Sequence, residues 1–185
     1  NLISDKISQT KNIKLELKTI IFKLDLKELS LFLETKQPKI EYSNLLVPAR
    51  NIRVYIDFLN LLQTNLRINK INLSLKELDI IQLNKLSKFI KPSNFKSILN
   101  NKIKNGKLIS EIEIFLNNEG SLENYIIKGS VFDLEANIYD NLNLSKTKFS
   151  FFADKDDILI KNIFGKIENI KIKDGDIKFN LEDAV

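Results

Sequence analysis

The stretch from Ile52 to Phe58 reads IRVYIDF and places an apolar side chain at every second position. Successive side chains of a β-strand point to opposite faces, so this alternation predicts a strand with one apolar and one polar face. The same alternation recurs at residues 13–17, 112–116 and 177–181. The chain is therefore predicted to be mainly β, and its function depends on what covers the apolar face of the sheet.

Short polar breaks separate the alternating segments. The runs Asn117-Asn118-Glu119-Gly120 and Asp174-Gly175 predict tight turns, the second within a hairpin. Pro38 and Pro48 are predicted at strand ends or at an edge, because proline cannot donate a hydrogen bond to a neighbouring strand. Short connections join antiparallel neighbours, so about ten to twelve strands are predicted to form a long, curved antiparallel sheet, an open β-groove or half-pipe.

Two positions in the alternating segments predict irregular strand pairing. The apolar positions change from even to odd across Asn69-Lys70, and one extra residue in a strand has this effect. Gly129 lies near a similar change, and glycine inside a strand pattern often marks a bulge. A bulge or a turn is therefore expected at Asn69-Lys70, and a bulge is expected near Gly129.

The periodicity becomes helical between residues 82 and 104. Apolar residues at i, i+3 and i+7 predict a helix that ends before Pro92: Leu83, Leu86 and Ile90. Ser93 is a candidate N-cap for a second helix, which Asn105-Gly106 is predicted to end. The sheet should thus carry one short helical insertion, at about residues 83–103, whose apolar stripe covers an edge or an end of the sheet.

The composition excludes the commonest catalytic chemistries. The 185 residues contain no His and no Cys, so a Ser-His-Asp triad, a Cys-His pair and a zinc site are all unavailable. The acidic segments Asp154–Asp157 and Asp174–Asp176 lack the pattern of a Ca²⁺ loop and are interpreted as solvated turns. We expect no enzymatic activity, no cofactor and no metal; an enzyme that uses carboxylates alone is the alternative.

The charge pattern does not favour nucleic acid. Lys and Arg total 29 against 24 acidic residues, and these charges are interleaved along the chain. The aromatic cluster of Phe149, Phe151 and Phe152 is interpreted as core packing instead of a base-stacking platform. No run approaches the roughly 18 apolar residues of a spanning helix. The chain also lacks Met, so we expect an excerpt whose membrane anchor lies outside these residues.

Three β segments carry a resemblance to a known family. Residues 106–114, 120–134 and 149–158 read GKLISEIEI, GSLENYIIKGSVFDL and FSFFADKDDI. They resemble the repeating β units of AsmA-like envelope proteins, above all the large YhdP-type members and more distantly TamB. The resemblance covers roughly residues 10–182, and the helical insertion also fits it.

The resemblance implies a non-catalytic role in phospholipid transport to the outer membrane. Such proteins are anchored in the inner membrane of Gram-negative bacteria and extend through the periplasm. The whole of residues 1–185 would be one β-groove segment, adjoining further segments of the same chain and shielding phospholipid acyl chains. Seven alternating residues are expected to line the groove: Ile52, Val54, Ile56, Phe58, Ile112, Ile114 and Leu116. The alternative is a structural or adhesive β-sandwich, in which two apolar sheet faces cover each other.

Overall fold

The computed structural model describes residues 13–17, 19–25, 30–42, 45–56, 67–87, 94–139 and 142–180. These residues are mainly β, and they form one large antiparallel sheet that does not close on itself, with two short helices. The predicted fold class, a mainly β chain with an open antiparallel sheet and a helical insertion, is confirmed.

The described residues contain fourteen strands and two helices. In chain order the strands are β1 (Ile13–Glu16), β2 (Ile20–Asp25), β3 (Ser30–Lys36), β4 (Lys39–Tyr42), β5 (Leu45–Val47), β6 (Ala49–Ile56), β7 (Ile68–Leu75), β8 (Leu78–Asp79), β9 (Ile103–Leu116), β10 (Leu122–Tyr139), β11 (Leu142–Ala153), β12 (Asp157–Ile167), β13 (Ile170–Ile172) and β14 (Ile177–Asn180). The helices are α1 (Ile80–Ser87) and α2 (Asn94–Asn101).

The large sheet has 11 strands, nine of them in the order β13-β12-β11-β10-β9-β7-β6-β3-β2. Strand β14 also pairs with β12, and β8 pairs with β9, while β1, β4 and β5 form a separate small sheet. The chain divides into two compact units. The first unit comprises residues 1–76 and 111–126, and the second comprises residues 77–110 and 127–185.

Three local predictions in the first unit are confirmed. Pro38 lies between β3 and β4, and Pro48 lies between β5 and β6. The Asn117 side chain accepts hydrogen bonds from the backbone N–H groups of Glu119 and Ser121, at 3.0 and 2.9 Å, and so fixes the turn after β9. In the β6–β7 pair, Tyr55 lies opposite Lys70 but Ile56 lies opposite Ile68, so the extra residue at position 69 makes the predicted bulge.

The helical insertion is confirmed, but its predicted boundaries are wrong at both ends. Helix α1 begins at Ile80, before the predicted start at about residue 83. Asp79 caps it: the Asp79 carboxylate accepts from the Gln82 N–H at 2.8 Å, and the Gln82 side chain accepts from the Asp79 N–H at 3.1 Å. At the other end, β9 begins at Ile103, so Gly106 lies within a strand and does not end the helix.

The helices pack against each other and beside the short strand β8. Leu99 of α2 is buried, and the Ser87 hydroxyl at the end of α1 lies 3.3 Å from the Asn100 side-chain oxygen. Leu83 and Leu86 are half-buried, in keeping with the predicted apolar stripe. Its third member, Ile90, lies outside the described residues, as do Pro92 and Ser93.

In the second unit the hairpin prediction is wrong, and the bulge predicted near Gly129 lies a few residues further along β10. Asp174-Gly175 does not turn a hairpin, because β13 and β14 both pair with β12 and follow each other along the same edge. The Gly175 carbonyl accepts from the Ile163 N–H at 2.9 Å, so residues 173–176 interrupt one edge strand. Gly129 pairs regularly with Phe151; the irregularity comes later, where Asp133 takes a φ of 50°.

Candidate functional site

The register of the first unit places six of the seven predicted lining residues on one sheet face. Directly opposed residues of antiparallel strands share a face. Val54 lies opposite Ile71, which lies opposite Ile114, and the neighbouring row joins Ile52 to Leu73 and Ile112. Ile56 and Leu116 follow by alternation along β6 and β9. Phe58 lies outside the described residues.

The small sheet contributes one residue to the packing on this face of the first unit. Ile40 of β4 packs against the cluster of buried residues on the face: Leu33, Ile52, Val54 and Ile56. Val54 is only 7 % exposed and Ile56 only 2 %. The three residues of β9 that share the face, Ile112, Ile114 and Leu116, are half-buried. The residues of β3 and β6 on this face thus belong to a buried core, and lipid lining by the predicted residues stays a prediction.

The opposite face of the first unit is polar, yet its centre is also buried. Glu34 is 3 % exposed and accepts hydrogen bonds from Lys23 and from Arg53, the latter at 3.0 Å. The Lys23 hydrogen bond, opposed by burial and reinforced by Arg53, holds the pKa of the Glu34 carboxyl below its ordinary value. Beside this group the rings of Phe32 and Tyr55 lie 5.2 Å apart. The charges on this face therefore neutralise one another.

The second unit has an apolar face of its own, built by β10, β11, β12 and the interrupted edge strand. Phe151 lies opposite both Gly129 and Ile160, and Ile160 lies opposite Ile177. The neighbouring rows continue the apolar surface with Ile127, Ala153, Ile158 and Phe179, and with Val131 and Phe149. Every residue in these rows other than Gly129 is apolar.

None of the residues in these rows is fully buried. Phe149, Phe151, Ile158 and Ile160 are half-buried, while Ile177 is 45 % exposed and Phe179 is 50 % exposed. Further along the same face, Ile170 lies opposite Ile167 and is exposed as well. Contiguous exposed apolar surface of this kind marks an interaction site in a soluble protein. The face is therefore the candidate functional site.

Two glycines let neighbouring strands approach closely across this face. A Cβ on Gly129 would lie 3.0 Å from the Phe151 ring, so the ring occupies the space above the glycine. A Cβ on Gly165 would lie 2.1 Å from the hydroxyl of Thr147, which is itself buried. Each glycine thus makes room for a side chain of β11 on the apolar side of the sheet.

The apolar face of the second unit is not among the predicted sites, although part of its apolar alternation is visible in the sequence. The sequence predicts that Phe149, Phe151 and Phe152 pack in a core, but Phe149 and Phe151 lie half-buried on this open face. Phe152 is exposed on the opposite face. Asp133, Lys146 and Asn162 take φ values of 50°, 49° and 54° at irregularities in β10, β11 and β12. These bulges shift the alternation within each strand and hide the continuous face from a reading of the sequence.

The acidic segment Asp154–Asp157 forms the turn between β11 and β12. Asp154 accepts hydrogen bonds from the N–H groups of Asp156 and Asp157, at 2.9 and 2.8 Å, and these bonds lower the pKa of its carboxyl. Within the described ranges, no group of three or more acidic side chains is placed to hold a metal ion. Neither helix of the described residues has the length and apolarity needed to cross a membrane.

The comparisons with known proteins identify no relative. The chain matches no protein-family model, no curated protein and no solved structure. The function is therefore inferred from the geometry of the two units and from the sequence itself.

Proposed function

We propose that the apolar face of the second unit binds the acyl chains of phospholipids. The observation that carries the proposal is the exposure of this face, with Ile177 and Phe179 about half exposed beside the half-buried Phe151 and Ile160. Each CH₂ group removed from water is worth about 0.8 kcal/mol, so an acyl chain laid along these residues is strongly stabilised. Aliphatic and aromatic side chains alone meet this requirement.

The wider role follows from the resemblance to AsmA-like envelope proteins. In this proposal the chain is a non-catalytic segment of a periplasmic bridge that is anchored in the inner membrane and passes phospholipids to the outer membrane. Adjacent β segments of the same protein would continue the path. A face that shields acyl chains needs no reacting group, which agrees with a chain that has neither His nor Cys.

Photo-crosslinking tests the acyl-binding face directly. A photoreactive phenylalanine analogue is placed at Phe151, Ile160 or Ile177, and the protein is irradiated with phospholipid vesicles and analysed by mass spectrometry. Lys36 and Lys76, exposed positions of the first unit, are the control positions. We expect phospholipid adducts from the three apolar-face positions only. Equal adducts from the control positions, or none from any position, would refute the proposal.

A structural β-sandwich is the second candidate, and one observation favours it for the first unit. Ile40 of the small sheet packs against the cluster of Leu33, Ile52, Val54 and Ile56, as residues of two facing sheets do in a sandwich. Crosslinking from the half-buried Ile112 and Ile114 distinguishes the two functions within that unit. Phospholipid adducts at these positions would extend the lipid path into the first unit, whereas protein adducts alone would favour the sandwich.

A further inference from the structure

Six lysines of the described residues lie on the polar face of the second unit, on strands β10, β11 and β12 and on the β13–β14 edge. The register sets Phe152 opposite both Lys128 and Leu159, and it sets Leu159 opposite Lys178. Ser150 then lies opposite Lys161, Lys148 opposite Phe164, and Lys166 opposite Lys171. All six lysines are exposed: Lys128, Lys148, Lys161, Lys166, Lys171 and Lys178. Their spacing in the sequence hides this arrangement, which only the strand pairing creates.

Lysine predominates among the charged residues that the strand register places on this face. The register also places one carboxylate there, that of Asp157. Asp157 lies opposite Asn180 and pairs with Lys178, with 2.7 Å between its Oδ2 and the lysine Nζ. The polar face of the first unit differs, since Glu34 there is neutralised by Lys23 and Arg53. The second unit therefore presents a surplus of positive charge to solvent.

Two exposed aromatic rings lie among these lysines. Phe152 and Phe164 are both on the lysine face, and the Lys148 Nζ lies 5.3 Å from the centroid of the Phe164 ring. Large apolar rings set among cations are typical of surfaces that enter the headgroup region of a bilayer, where the rings lose water and the cations meet phosphates.

We infer that this lysine face docks on the surface of a bilayer that contains anionic phospholipids. The lysines are spread in two dimensions over β10, β11, β12 and the β13–β14 edge, which matches a planar array of headgroups. All the cations are lysines, whereas the three arginines of the chain, Arg50, Arg53 and Arg67, belong to the first unit. Hydrated ammonium groups suit loose contact with headgroups, and arginine is preferred where nucleic-acid phosphates are recognised in fixed geometry.

This surface is independent of the proposed acyl site. It lies on the opposite face of the same strands, so a protein could bind vesicles through the lysines without binding an acyl chain, or the reverse. Crosslinking from Phe151 and Ile160 reports on the acyl site, and binding to intact vesicles reports on the lysine face. The two proposals therefore fail separately.

The test is co-sedimentation of the full chain with vesicles of phosphatidylglycerol and phosphatidylcholine in equal amounts, against vesicles of phosphatidylcholine alone. We expect binding to the anionic vesicles only, and weaker binding as salt rises, because surface charges are screened. Each lysine near an anionic surface strengthens binding about fivefold. The variant with Lys148→Gln, Lys161→Gln, Lys166→Gln and Lys171→Gln should therefore bind about six hundredfold more weakly if the four effects are additive.

A charge-matched variant separates this surface from net charge. Lys36→Gln, Lys76→Gln, Lys85→Gln and Lys102→Gln remove the same charge from exposed lysines elsewhere, and this variant should bind almost as the parent chain does. The four lysine-face positions changed to arginine should retain binding, and circular dichroism checks that every variant folds. Equal losses in the two glutamine variants would overturn the inference. Single-stranded DNA that binds more tightly than the vesicles and displaces them would also overturn the inference, because this result would assign the face to nucleic acid.

Discussion

In the first unit the centre of the apolar sheet face is buried, whereas in the second unit the apolar face carries no fully buried side chain in its central rows. The alternation that produces both faces is the same, since each strand places apolar residues at every second position. On the first face Ile40, from the separate sheet β1-β4-β5, packs against the buried cluster. Alternation thus determines which residues share a face, and only distant segments determine whether that face is covered.

The polar faces of the two units also differ in burial, and again the first unit is the more buried. In the first unit Glu34, Phe32 and Tyr55 are buried, and the carboxylate is surrounded by cations. In the second unit the polar face is exposed and rich in lysine. The first unit therefore has the character of a stabilising core on both sides of its sheet. The second leaves both sides available for binding.

A buried charge should separate the two units most strongly. Val54→Asp places a carboxylate in the covered core, where an unpaired charge is very costly, so we expect a loss of about 4 kcal/mol or more in the free energy of unfolding. Ile177→Asp makes the same change on the open face and should cost about 1 kcal/mol, because water can reach the carboxylate. Urea unfolding measures both. Similar losses in the two variants would show that the second-unit face is covered after all.

Truncation of leucine tests how far the cover extends within the first unit. Leu33 is buried beneath Ile40, whereas Leu24 is exposed on the edge strand β2 and shares the same face through its partner Leu31. Leu33→Ala should cost about 3 kcal/mol because it leaves a cavity, and Leu24→Ala about 1 kcal/mol or less. Chemical denaturation of the pair measures the difference. An equal loss of unfolding free energy in Leu24→Ala and Leu33→Ala would mean that the covered part of the face extends to the edge of the sheet.

Much of the fold could be predicted because its signals are local. The alternation at Ile52, Val54 and Ile56 and the change of parity at Asn69 both lie within a few residues of sequence. The Asp79–Gln82 capping box is local as well, because an acidic residue is followed three positions later by glutamine. These features depend on neighbours in the chain, so sequence alone can specify them.

The open face could not be predicted because its signals are not local. Asp133, Lys146 and Asn162 adopt positive φ, which Asn and Asp tolerate better than most residues but which no short pattern specifies. Each bulge shifts the register, so the rows that join Phe151 to Ile160 and Lys148 to Phe164 arise only when the strands pair. The cover over Val54 likewise comes from Ile40, on a strand of a different sheet.

Close packing between strands gives a smaller effect, confined to the second unit. Gly165→Ala would place a Cβ 2.1 Å from the Thr147 hydroxyl and 3.0 Å from its Cα, so a rotation of the threonine side chain cannot relieve the contact. We expect a loss of about 2 kcal/mol. Gly175→Ala is the matched control, since its Cβ would meet nothing closer than 3.7 Å. Thermal unfolding of both variants measures the effect, and an unchanged Gly165 variant would mean that β11 and β12 are loosely packed.

The smallest expected effect concerns the buried charge of the first unit and its dependence on pH. The folded-state pKa of Glu34 lies below its ordinary value of 4.5, so its ion pairs stabilise the fold above that value and are lost as the pH falls through the folded pKa. Lys23 and Arg53 are partly exposed, so solvent screening limits the loss in Glu34→Gln at neutral pH to about 1 kcal/mol. The difference between parent and variant should therefore be constant above about pH 5 and shrink below it. Urea unfolding as a function of pH measures this difference, with Glu123→Gln as an exposed control. A difference that grows as the pH falls would mean that the carboxylate is not stabilised by its two cations, and the first unit would lose its charge-neutral character.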